Sequence, residues 1–465
     1  MITYSAVTDD ALGSHDAHAL RAALADGSVS ADELWSAARA RSEAAQPHLN
    51  AVVAWCDEPP TTADPAGAFA GIPTFIKDNE ALTGLPNRNG SRAVPANPAD
   101  HDSEIVTLML AMGLVPVGKS SLPEFGLTAT TEPLLTGPTH NPWALGHSTG
   151  GSSGGAAALV AAGVVPIAHA NDGGGSTRIP AACTGLVGFK PSRDRLPASE
   201  DAEGLPVQIV HQGVLTRTVR DTADFYCAAE SVYPNDLPPL GEILGPNQRR
   251  LRIGVVFAGI TGPVAPEVEE SVRHAAQVLS DLGHDVVEVP TPADERFGKD
   301  FLRYWAAMAF ALKMGGKQLF GPGFDVSAIE PFTQGLAEYF HTVGLGVPAA
   351  IARLRMFPAA YARCFDDVDV LLSPTLGYLP PEHGWLSPAL DFRTHITRLL
   401  PFAGFTAIQN VTGTPAISLP GKPAADGRPI GIHFASAAGD DRTLLELAFE
   451  WEQASPWAIT PDPTT

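Results

Sequence analysis

A chain of 465 residues, 45% of them hydrophobic and with a mean hydropathy near zero, has enough apolar content for a sizeable core. Its formal charge of -21 repels phosphates, which argues against nucleic acid and membrane surfaces as partners and favours small neutral substrates. The four cysteines, Cys56, Cys183, Cys227 and Cys364, form no CxxC pair and have no histidine at metal spacing, so buried free thiols, a reducing compartment and no metal or other cofactor are expected.

The opening MITYSAVTDD lacks a basic start and an apolar run, so no signal peptide is expected and a cytoplasmic location is the reading. Helical pattern fills the first fifty residues: Ser30 and Glu33 have capping-box spacing, Leu34, Ala37, Ala38 and Arg41 follow at helical period, and Pro47 is read as the stop. A short strand, LNAVVAW, comes next. From about residue 70, strand-like IPTFIKD, helix-like DSEIVTLMLAMG and strand-like LVPVG alternate, which indicates an α/β sheet with helices on its faces. The alanine-rich AAALVAAG reads as a helix ended by Gly163, and VVPIAHA as a strand; together they are too short for a membrane span and are broken by Gly163 and Pro166.

Between about 197 and 250, prolines and charges predict long surface loops. LRIGVVFAG, PEVEESVRHAAQVLSDLG and HDVVEVP then form a β-α-β pattern. Residues 300 to 365 are mostly helical, VDVLLSPTLG, TPAISLP and IGIHFAS are late strands, and RTLLELAFEWEQA is a closing amphipathic helix. With no repeat and no linker, a single domain is expected.

Some short motifs match without their structural context. GLVPVGKS, residues 113 to 120, fits the P-loop expression, yet a helix precedes it and its middle is strand-like, so no nucleotide site is expected. GGSSG at 150 to 154 fits a nucleophile elbow, but turn residues rather than a strand lead into it. NVT at 410 to 412 is a glycosylation match without a secretory context.

The runs HSTGGSSGGAAALVAAG and HANDGGGSTRIPAACTGLVGFKP pose a different question, because apolar helix and strand signals abut both and they are not flexible linkers. Each places a serine, Ser152 or Ser176, in an uncharged glycine-rich setting, and the helix and strand between them bring both toward one pocket. Gly173, Gly174 and Gly175 precede Ser176, and such a run lets successive amides converge on one anion, as an oxyanion hole requires. A serine hydroxyl needs a base, and neither His147 nor His169 is followed by an acidic orienter. Lys77 ends the apolar run GIPTFIK, and desolvation there disfavours its charged form, so it is the candidate base.

Lys77 with STGGSSGGAAALVAAG and DGGGSTRIPAACTGLVGFKPS closely resembles the amidase signature family, whose members hydrolyse carbon-nitrogen bonds with a Ser-cisSer-Lys triad. VDVLLSPT, NVTGTPAISLP and GRPIGIHFAS look like the family's C-terminal strands. The resemblance implies a single α/β domain around a central twisted mixed sheet with helices on both faces. Its parts would be an N-terminal helical segment (1–60), a signature core (70–195), a variable pocket region (200–365) and C-terminal strands with a closing helix (366–457). It implies Ser176 as nucleophile, Ser152 as bridging serine on a cis peptide after Gly151, and Lys77 as base. The amides of Gly173, Gly174, Gly175 and Ser176 would form the oxyanion hole, and Asp172 and Arg178 would brace the loop. Asp194 stands where family members commonly carry glycine, which puts the turn after Lys190 in question.

DGGGSTRIPAAC looks most like members acting on nylon-type oligomers, aryl amides and carbamates. The alternative is the glutamine-hydrolysing subunit of a tRNA amidotransferase, which usually reads RQPA where this chain has Arg178-Ile179-Pro180-Ala181. A non-catalytic scaffold is disfavoured because all three triad positions are intact. Phe125, Leu127, Thr149, Gly150, Tyr304 and Trp305 are candidate pocket residues; with Phe301 and Phe310, the last two have a helical spacing that fits core equally. The expected partners are a small neutral amide or carbamate and water, with the chain acting as a monomer or homodimer.

Overall fold

Ser30 starts a helix as its spacing to Glu33 predicts: the hydroxyl accepts from the Glu33 amide and the Glu33 carboxylate accepts from the Ser30 amide. The computed structural model describes residues 1–202 and 204–462. Helix α1 (Ala17–Asp26) precedes this helix, α2 (Ala31–Leu49). Pro47 does not stop α2. The helix ends at Asn50, whose φ of 49° turns the chain while its amide still reaches the Gln46 carbonyl.

A first sheet has the order β1 (Val52–Trp55), β3 (Val115–Ser120), β2 (Pro73–Lys77), with helix α3 (Glu104–Ala111) crossing between the parallel β2 and β3. Residues 115 to 120, most of the P-loop match, are thus strand and not a phosphate loop, and Lys119 is buried 3.2 Å from Asp78. A short hairpin, β4 (His140–Asn141) and β5 (Ala144–Ser148), leads to α4 (Gly154–Ala161), β6 (Ile167–Asp172), α5 (Arg178–Thr184) and β7 (Val187–Lys190).

The stretch expected to be surface loop holds β8 (His211–Thr216), buried throughout, and α6 (Val219–Val232). Polar residues hid this strand: its His211 and Gln212 are satisfied internally, so the apolar pattern of a buried strand is absent. The predicted β-α-β unit is β9 (Arg252–Val255), α7 (Pro266–Asp281) and β10 (Asp285–Glu288), with β9 and β10 parallel. Then come α8 (Glu295–Phe320), α9 (Pro331–Val343), α10 (Val347–Ala362), β11 (Val370–Pro374), α11 (Phe392–Phe402), α12 (Ala407–Thr412), β12 (Ala416–Pro420), β13 (Gly431–Ser436) and α13 (Asp441–Ala454).

The second sheet is mixed, with eight strands in the order β10-β9-β11-β13-β12-β7-β8-β6. Its edge strand β6 meets β2 of the first sheet through side chains: the Thr74 hydroxyl donates to the Ile167 carbonyl at 3.0 Å and the Lys77 amide to His169 Nδ1 at 3.2 Å. One apolar core runs from Ala6 to Trp451 through both sheets, giving a single α/β domain. Cys56 and Cys183 are buried; Cys227 and Cys364 are half-buried, against the expectation for all four. Among the described residues no helix is long and apolar enough to cross a membrane.

Candidate active site

Lys77 is the last residue of β2, and its side chain is fully buried at the seam between the two sheets. Its Nζ lies 2.7 Å from Ser152 Oγ and 2.6 Å from Asn171 Oδ1. Burial pulls the Lys77 ammonium down to about 7, against the opposing pull of the Asp172 and Glu80 charges.

Ser152 follows a cis peptide bond from Gly151 in the loop between β5 and α4. That loop is pressed against its neighbours: a Cβ at Gly151 would fall 2.8 Å from the Thr130 nitrogen and 2.9 Å from the Thr128 oxygen, so only glycine fits. The Ser153 amide donates to the Ser176 carbonyl at 3.2 Å and ties the two serine loops together.

Ser176 sits between β6 and α5 on a loop organised by one carboxylate. Asp172 accepts from the amides of Gly175 (2.7 Å) and Thr177 (3.2 Å) and from the Arg178 guanidinium at 3.0 and 2.9 Å. Arg178 also donates to the Thr406 carbonyl and to Asn410, each at 2.8 Å, which fastens α12 over the loop. Burial alone would raise the Asp172 carboxyl, but Arg178 and Asn410 hold it well below the usual range. Removing either member of such a buried pair costs about 3–5 kcal/mol. The two residues therefore tie the loop to α12.

Gly175 departs from the expected role. Its amide is taken by Asp172 and points away from the cavity, at φ 127°. The amides of Gly173, Gly174 and Ser176 make no hydrogen bond to another described residue, and neither does the Ser176 hydroxyl, which is half-exposed. Asp194 adopts φ 71°, the left-handed backbone region that glycine favours.

Ser152, Asn171, Gly173, Gly174 and Ser176 form the polar end of a cavity of about 380 Å³. Phe125, Leu127 and Trp305 line it, and so does Phe301, whose Cζ lies 3.6 Å from where a Cβ on Gly174 would stand. Phe297, Phe301, Trp305, Met308 and Leu312 make one stripe of α8 along its wall. No Asp, Glu, Lys, Arg or His is among the described lining residues.

Four candidate pocket residues do not line the cavity. Thr149 is buried, its hydroxyl bonded to the Gly150 carbonyl at 3.2 Å, and Gly150 packs on Pro180 instead of facing the cavity. Tyr304 points to the opposite side of α8, where its hydroxyl donates to the Val207 carbonyl at 2.8 Å and accepts from the Val207 amide at 3.2 Å. Phe310 stacks on Phe340 at 4.4 Å. Sequence reasoning also missed Asn171 and Glu80, whose signals are proximity alone: Glu80 follows Lys77 in KDNE, and Asn171 precedes Asp172. Among the described residues no three His, Cys, Asp or Glu side chains are grouped to hold a metal ion.

The Amidase family profile matches residues 33–445. The protein named "Putative amidase AmiC" from Mycobacterium tuberculosis (strain ATCC 25618 / H37Rv) is 46% identical over 460 residues, covering 97% of each chain. The 6-aminohexanoate-cyclic-dimer hydrolase of Paenarthrobacter ureafaciens is 35% identical over 475 residues, covering 95% of each. A solved structure of a bacterial aryl acylamidase of the amidase signature family superposes with a TM-score of 0.82 at 28% identity, covering 95% of this chain and 96% of that one. The chain belongs to the amidase family and is an amide-hydrolysing enzyme of the amidase signature fold.

Proposed function

We propose that the enzyme cleaves small, uncharged, largely apolar amides, with anilides, cyclic amides and carbamates in its range, through an acyl-enzyme on Ser176. Neutral Lys77 takes the proton of Ser152, which takes the proton of Ser176, and the Ser176 oxygen attacks the substrate carbonyl. The developing oxyanion is received by the amides of Gly173, Gly174 and Ser176. Run in reverse, the relay protonates the leaving nitrogen, and water then releases the acyl group. The observation that carries this reading is the 2.7 Å approach of the buried Lys77 Nζ to Ser152 Oγ, at the floor of a cavity that also exposes Ser176. The unpartnered Ser176 hydroxyl engages when substrate enters, since such contacts commonly tighten only in the complex.

The uncharged lining supports the substrate class. Burying an ion in an apolar site without a partner is costly, and glutamine brings both an ammonium and a carboxylate. That argues against the glutamine-hydrolysing alternative.

Aniline release from a neutral anilide by the isolated chain, with a mass increase on Ser176 equal to the acyl group, tests the reading. Ser176→Ala is expected to lower kcat by roughly 10⁴-fold or more. Undiminished turnover by that variant would overturn the assignment.

A further inference from the structure

Glu80 is buried, does not line the cavity and has no role in the relay just described. The turn after β2 folds it back beneath Lys77, its amide donating to the Lys77 carbonyl at 3.0 Å. Its Oε1 accepts three hydrogen bonds, from Gln212 Nε2 at 2.7 Å, Ser199 Oγ at 2.9 Å and Asn171 Nδ2 at 3.3 Å. We propose that Glu80 is a positioning residue: through the carboxamide of Asn171 it fixes which way hydrogen bonds run around Lys77, and so turns the lysine lone pair toward Ser152. The proposal rests on Lys77 being the base.

The contacts close into a circuit. The Lys77 amide donates to His169 Nδ1 at 3.2 Å, which leaves the proton of this imidazole on Nε2. His169 Nε2 then donates to Gln212 Oε1 at 3.0 Å, so Gln212 must present its NH₂ to Glu80. On the other side, Asn171 gives its NH₂ to Glu80 and its oxygen to Lys77 Nζ at 2.6 Å. A carboxylate only accepts, so it sets both amides in these orientations.

The consequence appears at the amine. A neutral amine has two N–H bonds and one lone pair. With one N–H held by Asn171 Oδ1, the lone pair is free to accept from the Ser152 hydroxyl at 2.7 Å. A flipped Asn171 would offer N–H to that lone pair and compete with Ser152. The charged and titratable groups facing this cluster are Asp172 and His169 on β6, and the Asp78–Lys119 pair beside β2 and β3. Burial pulls His169 down to about 4, against the opposing pull of Glu80, so it is neutral where the circuit needs it.

The test compares Glu80→Gln with the exchange variant Glu80→Gln/Asn171→Asp, using a neutral anilide and full pH profiles. Glu80→Gln should lose roughly 10- to 100-fold in kcat, a range typical when a group orienting a site ligand is removed, with KM unchanged. Its pH inflection should move to lower pH, because an anion supporting the Lys77 ammonium is gone. The exchange variant again faces Lys77 with an acceptor; it should regain most of the lost kcat, with the inflection moved to higher pH by the adjacent carboxylate. Parent-like kcat and profile in Glu80→Gln would overturn the proposal, as would a folded exchange variant that is inactive or has an unshifted inflection. Where Glu80→Gln does not fold, the exchange variant decides alone. Parent-like turnover by Lys77→Ala would instead sink the relay itself, separating failure of the base from failure of its orienter.

Discussion

The two ends of the cavity are built on opposite principles. The polar end packs backbone against backbone around one carboxylate: Asp172 alone holds Gly175, Thr177, Arg178 and Asn410, and Arg178 reaches α12. The far wall is a stripe of α8 with no ionisable side chain, continuing to Leu319, which is exposed. Substitution at the first end breaks geometry, whereas substitution at the second changes shape. Chemistry and selectivity are therefore separable in this molecule.

The sharpest way to break that contrast is Gly175→Ala. A Cβ there would stand 2.1 Å from Thr406 Oγ1, on a backbone at φ 127° that side chains avoid. Activity should fall by more than ~100-fold, a scale that misplacement of about 1 Å can produce, with a lower melting temperature. A variant with parent kcat would show that the loop tolerates displacement. The pH dependence comes next. In the proposed relay Lys77 acts only when unprotonated, and burial brings its pKa to about 7, so kcat/KM on a neutral substrate should rise through pH 7 and level off above it. Below the inflection it should drop about tenfold per pH unit; a profile flat from pH 5 to 10 would contradict the base.

Phe301→Ala probes the apolar wall. Because the ring stands over Gly174, its loss should raise KM for an anilide about tenfold while leaving kcat for a short aliphatic amide within roughly twofold. Equal losses in both would merge the two regions. The smallest effect concerns Glu330, at the start of α9 beside the loop bearing Phe125. Its amide donates to Glu124 Oε2 at 2.9 Å, and burial with the Glu124 charge pushes the Glu330 carboxyl up to about 8. The folded-state pKa is raised above the unfolded one, so this stabilising contribution is full below about 4.3 and is lost as pH rises through about 8. Glu330→Gln should match the parent in melting temperature near pH 4 and exceed it by a few degrees at pH 9. An equal difference at both pH values would remove the titration from the account.

The polar end was the more legible in the amino-acid sequence. Glycine runs and an apolar strand ending in lysine are local signals, and they pointed to Lys77 and Ser152, whose side chains touch, and to Ser176, which lines the same cavity as Ser152. What stayed hidden depends on distant partners. Tyr304 and Trp305 are adjacent on α8, and only the rotation of that helix against Val207 decides that one is core and the other wall. The Gly175 amide is diverted by a carboxylate that local spacing does not orient. Glu80, Asn171 and Gln212 come from three separate elements, and β8 was concealed because its polar side chains are satisfied by such long-range contacts.

An ion-free lining also bears on how a turnover ends. Hydrolysis of a neutral amide creates a carboxylic acid that ionises at neutral pH, so the guest acquires a charge for which the chamber holds no counterion. The molecule's net charge of -21 then disfavours the anion's return. For the neutral substrates proposed, the reaction's own outcome then favours release, and inhibition by accumulated acid should be weak.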